Sequence, residues 1–165
     1  MKKILYFYGL AYLLFFTTCK RNDGLFPYTQ KGLNRASYMV DGKAYKINAT
    51  ISDIYFGYYA IDSNLYGAAT FPNSDEGIFF YLNDVKFQLG RIDVKTPRIG
   101  ALYIDENRNE YYTLSGYVDI NYIDSTNKYK RIIAGEFGFV CKNEKLNKVL
   151  NITRGNFDCE YVYHK

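Results

Sequence analysis

Cys19 is the residue whose type and position most directly imply chemistry in this chain. It follows Lys2 and Lys3, an apolar run of thirteen residues from Ile4 to Phe16, and the small polar pair Thr17-Thr18. A basic start, a short greasy centre and small residues ahead of a cysteine form an export signal of the lipoprotein type. Cleavage before Cys19 exposes a thiol for a thioether-linked diacylglyceryl group and an amine for a further acyl chain. Two or more chains hold a protein stably on a bilayer, where one gives only reversible binding. Phe16 and Thr18 match the usual cleavage pattern loosely, since an aliphatic residue and Gly, Ala or Ser are customary there. The competing reading of Cys19 is an incidental thiol on a secreted chain. The apolar run is short for a permanent span, rising ~20 Å at about 1.5 Å per residue against a bilayer core of roughly 30 Å. It also lacks the polar face that a buried N-terminal helix shows.

Other reactive side chains are poorly placed for catalysis. His164 is the sole histidine and the second-last residue, so a Ser-His-Asp or Cys-His arrangement would depend on a chain end. Histidine-based zinc or iron sites are equally unsupported. No P-loop, GxGxxG or CxxC motif occurs, which leaves nucleotide and redox chemistry without a motif. Paired carboxylates could serve a glycosidase, and Asp53, Asp75, Glu76, Asp105, Glu106 and Asp119 are the candidates. Most of them fall in turns or at outward strand positions, where a carboxylate is simply solvated. Asp105-Glu106-Asn107 lacks the spaced acids and the glycine of a calcium loop. The expectation is no catalytic residue, no metal, no cofactor and no enzyme activity. One cluster invites a binding reading: Tyr55, Tyr58, Tyr59 and Tyr66, whose flat rings suit the apolar faces of sugars. Strand tyrosines also serve as cross-strand pairs at a core edge.

The elements that must position these groups are strands. Removing residues 1–18 leaves 147 residues, enough for one domain with a real core. Without Lys2 and Lys3, 19 basic side chains face 17 acidic ones; the charges are scattered, so nucleic acid is not an expected partner. Aromatics make up 19% of the chain, all Tyr and Phe, a composition that favours strands. Asp41-Gly42 between Ala36–Val40 and Lys43–Ile47 predicts a two-residue hairpin turn with positive φ at both positions. Further strands are expected at Ile51–Ile61, Leu65–Phe71, Gly77–Leu82, Val85–Leu89, Gly100–Ile104, Tyr111–Leu114, Gly116–Ile123 and Arg131–Val140. The last strand, from about Val149 to Tyr163, shifts its apolar phase near Gly155, which predicts a bulge there. Cys141 and Cys159 fall on paired strands at opposite ends of one hairpin, roughly 30 Å apart at ~3.3 Å per residue, and are expected as buried free thiols.

The expected fold is all-β: an antiparallel β-sandwich of nine to ten strands, with a break between sheets near Pro97, preceded by a signal-peptide helix. A closed meander β-barrel is the alternative, because short turns join most neighbouring strands. The domain plan is a leader over 1–18, a lipidated cysteine and flexible tether over 19–34, and a single all-β domain over 35–165. Leu25-Phe26 is an apolar pair in the tether that could dock on the domain.

Two stretches carry a resemblance. The first is Thr29-Gln30-Lys31-Gly32-Leu33-Asn34, followed by Val40-Asp41-Gly42-Lys43-Ala44-Tyr45; the second is Ile133–Phe139, followed by Asn151-Ile152-Thr153-Arg154-Gly155-Asn156-Phe157-Asp158. Together they resemble the opening and ending of a β-rich domain, without assigned function, in a group of Bacteroidota outer-membrane lipoproteins. Asp41 stands where that group often has Asn, and Tyr45 where it commonly has another aromatic such as Trp. The resemblance implies an outer-membrane lipoprotein and supplies no catalytic residue. The chain is thus expected to be a non-enzymatic, lipid-anchored envelope protein, on either membrane face, with a membrane contact through its anchor. Its partner would be another envelope protein, or else a glycan or small ligand held on a tyrosine-lined face or in a barrel cavity.

Overall fold

A computed structural model describes residues 23–48, 54–60, 63–72, 74–95 and 99–164. The leader, Cys19, Asp53 and Pro97 lie outside the described residues.

Asp41 and Gly42 take φ values of 46° and 86° and join β1 (Arg35–Val40) to β2 (Lys43–Asn48) in the register the turn requires, Val40 opposite Lys43. The chain continues through β3 (Ile54–Tyr59), β4 (Asn64–Thr70), β5 (Gly77–Leu82), β6 (Gly90–Val94), β7 (Ile99–Ile104), β8 (Glu110–Asp124), β9 (Ile132–Asn143) and β10 (Lys148–His164). There is no helix among the described residues.

The architecture is a closed seven-strand barrel with extra strands, the barrel alternative rather than the sandwich. Starting from β10, antiparallel neighbours run β9, β8, β7, β5, β4 and β3, and β3 closes the ring by pairing in parallel with the end of β10, Tyr161 opposite Phe56. Closure depends on the two longest strands sharing their outer edges. β10 gives its middle to β1 and its end to β3, while β8 gives its start to β7 and its middle to β6. Register slips let these long strands bend around the ring: β10 slips against β9 between Ile152 and Gly155, where a bulge is expected from the sequence. β8 is continuous, not two strands, and slips twice against β9. Val85–Leu89 is not a strand; its alternating apolar residues Val85 and Phe87 pack from a loop onto the core.

Side chains fill the ring. Phe56, Phe80, Phe137 and Phe157 are fully buried and in contact, Phe56 stacked on Phe157 with centroids 4.6 Å apart and Phe80 edge-to-face with Phe137 at 5.1 Å. Tyr38, on the β1–β2 hairpin, stacks on Tyr45 and meets Tyr103 and Phe137, which ties the hairpin to the barrel. Cys141 lies opposite Leu150 and Cys159 opposite Ile133; both are buried free thiols.

The stretch read as a flexible tether is not free where it is described. Residues 23–34 lie along β1 and β10, because buried Asp158 gathers them: its carboxylate accepts bonds from Thr29 Oγ1, from the Lys31 amide at 3.1 Å and from the Gly32 amide at 2.6 Å. Asp23 pairs with Arg154, Ser37 Oγ accepts the Phe26 amide, and Asn34 Oδ1 accepts the Glu160 amide. Phe26 sits beneath the Arg35 guanidinium and near the Lys46 ammonium, so this member of the apolar pair rests on the domain.

Candidate functional site

The end of the barrel where β8 and β10 finish and β9 begins is open. Two adjoining hollows there, of about 350 and 410 Å³, share Arg131, Tyr161 and Tyr163. Tyr55, Lys128, Tyr129, Glu160 and Val162 wall one; Phe87, Ile123 and Ser125 wall the other. The strand ends place these groups. The turn after β8 carries Ser125 to Lys130, and the Tyr161 amide bonds the Arg131 carbonyl at 3.0 Å, fixing Arg131 against β10. Tyr163 stands between the Arg131 guanidinium, 5.1 Å from its ring, and Tyr58, 5.6 Å away. Tyr161 packs on Phe87 at 5.0 Å and is nearly covered. Tyr129 is 84% exposed, with the Lys128 ammonium over its ring.

Electrostatically, Arg131 is the unusual member. Its Nε is buried and has no hydrogen-bond partner, and no carboxylate lies within ion-pair distance of it among the described residues. Lys130, the next cation, is paired with Glu160 at 3.8 Å, and Asp124 is held by the Thr126 amide and hydroxyl. Burial raises the Tyr161 phenol above its ordinary range, although Arg131 opposes that shift, so it stays a neutral hydroxyl at physiological pH.

The four tyrosines singled out from sequence do not form one platform. Tyr55 joins the groove. Tyr58 faces the same end from within, half-buried and stacked on Phe87 at 4.9 Å. Tyr59 and Tyr66 stand on the outer wall, edge-to-face at 78° rather than coplanar, and Tyr66 meets Tyr81 in the same way. The period-two rule explains the split: Tyr55 and Tyr59 share a strand face with each other and not with Tyr58. His164, read as a loose chain end, stacks on Tyr59 at 4.3 Å. Arg131, Tyr129 and Tyr163 are not singled out by the sequence; the β9–β10 hairpin, with Ile132 opposite Glu160, brings the turn after β8 next to the end of β10.

The opposite end holds a smaller cleft of about 170 Å³, lined by Glu76, Asp105, Glu106, Tyr45, Tyr103 and Lys148 among others. Burial and the neighbouring Glu106 raise the Glu76 carboxyl, while Lys43 partly offsets them. Asp105 is fully engaged by the Asn107 and Asn109 amides and the Tyr111 hydroxyl; burial pushes its carboxyl up, but those bonds win and hold it below the usual range. Among the described residues, no group of His, Cys, Asp or Glu is arranged to hold a metal ion. No described helix is long and apolar enough to cross a membrane.

Comparison with protein-family models, curated proteins and solved structures finds no match to this chain.

Proposed function

We propose that this chain is a lipid-anchored protein of the cell envelope whose barrel is a binding module, taking a saccharide in the groove walled by Tyr55, Tyr129, Arg131, Tyr161 and Tyr163. The single observation that carries the binding half is the composition of that groove. Flat aromatic rings border a hollow also lined by a guanidinium that has no ion pair among the described residues, while the barrel interior itself is filled by Phe56, Phe80, Phe137 and Phe157. Rings suit the apolar faces of sugars, and a few convergent polar groups supply orientation. The anchoring half rests on Lys2-Lys3, the apolar run and Cys19. Asp23, the first described residue, is bound to Arg154 only four residues after Cys19. An extended link of that length spans at most ~14 Å, so an acylated Cys19 keeps the barrel at the bilayer surface.

The experiment is recovery of the protein from detergent-solubilised native envelope, with bound saccharide and the mass of the mature N-terminus read from one sample. The expected result is a diacylglyceryl-modified Cys19 and co-purifying saccharide that falls away in a Tyr55→Ala/Tyr129→Ala variant. An unmodified Cys19 or an intact Met1 would contradict the anchor. Equal recovery of saccharide, or none, with both proteins would contradict the binding site.

A further inference from the structure

From the Arg131 guanidinium in the groove wall, which has no ion pair among the described residues, we infer that the ligand is anionic: the site selects a saccharide carrying a carboxylate, which Arg131 grips. This rests on the saccharide-binding reading above and names the class of sugar within it.

Arg131 Nε is sealed from solvent without an acceptor, so a ligand reaches the guanidinium through its terminal nitrogens, and its positive charge lines both hollows without an ion pair among the described residues. The three acidic groups nearby do not pair with it. Glu160 lines the same groove but pairs with Lys130, Asp124 is held by Thr126, and buried Asp158 is occupied by Thr29, Lys31 and Gly32. The Tyr163 ring lies 5.1 Å from the guanidinium carbon, and the two terminal nitrogens form a planar donor fork. That fork matches the two oxygens of a carboxylate, and bidentate pairing of this kind is stronger and more directional than a bond to a neutral hydroxyl. Lys128, also lining the groove, adds a second positive charge beside the exposed ring of Tyr129. A neutral sugar would satisfy the rings and leave the guanidinium without an ionic partner. A bare anion would satisfy the guanidinium and leave the rings uncovered. A uronate or another carboxylate-bearing sugar satisfies both walls at once.

The test uses the mature chain from Cys19 on an array of uronate- and sialate-bearing oligosaccharides, each printed beside its carboxyl-reduced counterpart, with inorganic phosphate as a soluble competitor. Arg131→Gln and Tyr55→Ala are run alongside, after thermal melts confirm that they fold; Arg131→Lys replaces Arg131→Gln if the latter does not. The expected result is at least tenfold tighter binding of an acidic sugar than of its reduced form. Arg131→Gln should abolish that preference while leaving the residual binding of the reduced form, and Arg131→Lys should weaken it by losing the fork. Tyr55→Ala should weaken both forms. Equal binding of acidic and reduced sugars would overturn the anionic inference and leave the saccharide reading standing. Full displacement by phosphate at concentrations that leave the reduced sugar bound would assign the site to phosphate and overturn the carboxylate. No binding to any spot would overturn both.

Discussion

Asp158 does at the residue scale what the two resembling stretches do not disclose when read apart. The residue is 2% exposed and its carboxylate accepts from Thr29, Lys31 and Gly32, so the opening and closing stretches of the domain meet at one side chain. Asp158→Ala leaves two amides and a hydroxyl without their acceptor. It should lower stability by about 2–4 kcal/mol and open residues 24–34 to protease; unchanged denaturation and proteolysis would show that the segment is held elsewhere. The cysteines make a separate prediction. Burial, aided by Asp41, pushes the Cys141 thiol up to about 12, and burial holds Cys159 well above its ordinary range. Both folded-state values lie above those of an unfolded chain, so the folded state keeps protons that the unfolded state gives up. Stability is therefore intact at neutral pH and falls as pH climbs from about 9 toward about 12. Tyr38 and Tyr103, raised by burial in the same direction, add to the slope. Melting temperatures should drop across that window, and a Cys141→Ala/Cys159→Ala chain should show a shallower drop; a flat profile would contradict the buried neutral thiols. That these two cysteines stay apart was legible from strand spacing alone. The same hairpin register sets Ile132 opposite Glu160 and so carries Arg131 toward Tyr163, but nothing in the residue types there singles that pair out.

At the scale of elements, short strands were easier to read than long ones. Asp41-Gly42 defines its hairpin locally, and Gly77–Leu82 is a strand with the bounds expected for it. β8 reads as two strands because Leu114 and Ser115 interrupt the period; in the barrel that interruption is a register slip within one strand. β6 was obscured by its short, exposed sequence, Gly90-Arg91-Ile92-Asp93-Val94, whose one fully buried side chain is Val94. The bends demand close strand approach, and Gly135 shows how close. A Cβ there would collide with the Asp119 carbonyl of β8 and the Phe157 ring of β10. Because one obstacle is backbone, side-chain rotation cannot relieve it. Gly135→Ala should cost about 3 kcal/mol, read by chemical denaturation, whereas an unaffected midpoint would mean that β8 and β9 can separate freely.

For the whole molecule, the decisive feature is the closed ring, which the sequence leaves undecided between sandwich and barrel. The choice turns on β10 and β8 each serving two partners along one edge, and on a parallel contact between β3 and β10 that joins segments about a hundred residues apart. Neither is visible in a period-two pattern. Closure also sets the geometry of the proposed function. Tyr161 lies seven residues along β10 from Arg154, roughly 23 Å at ~3.3 Å per residue, so the groove opens well away from the point where the anchored segment meets the barrel. Location is thus the part of the account most open to direct test. Nuclear magnetic resonance titration of the mature chain with a carboxylate-bearing oligosaccharide reports it residue by residue. The account predicts saturable shifts concentrated on Tyr55, Tyr129, Arg131, Tyr161 and Tyr163. Shifts confined to Glu76 and Glu106 at the opposite end, or to Tyr66 and Tyr81 on the outer wall, would contradict it.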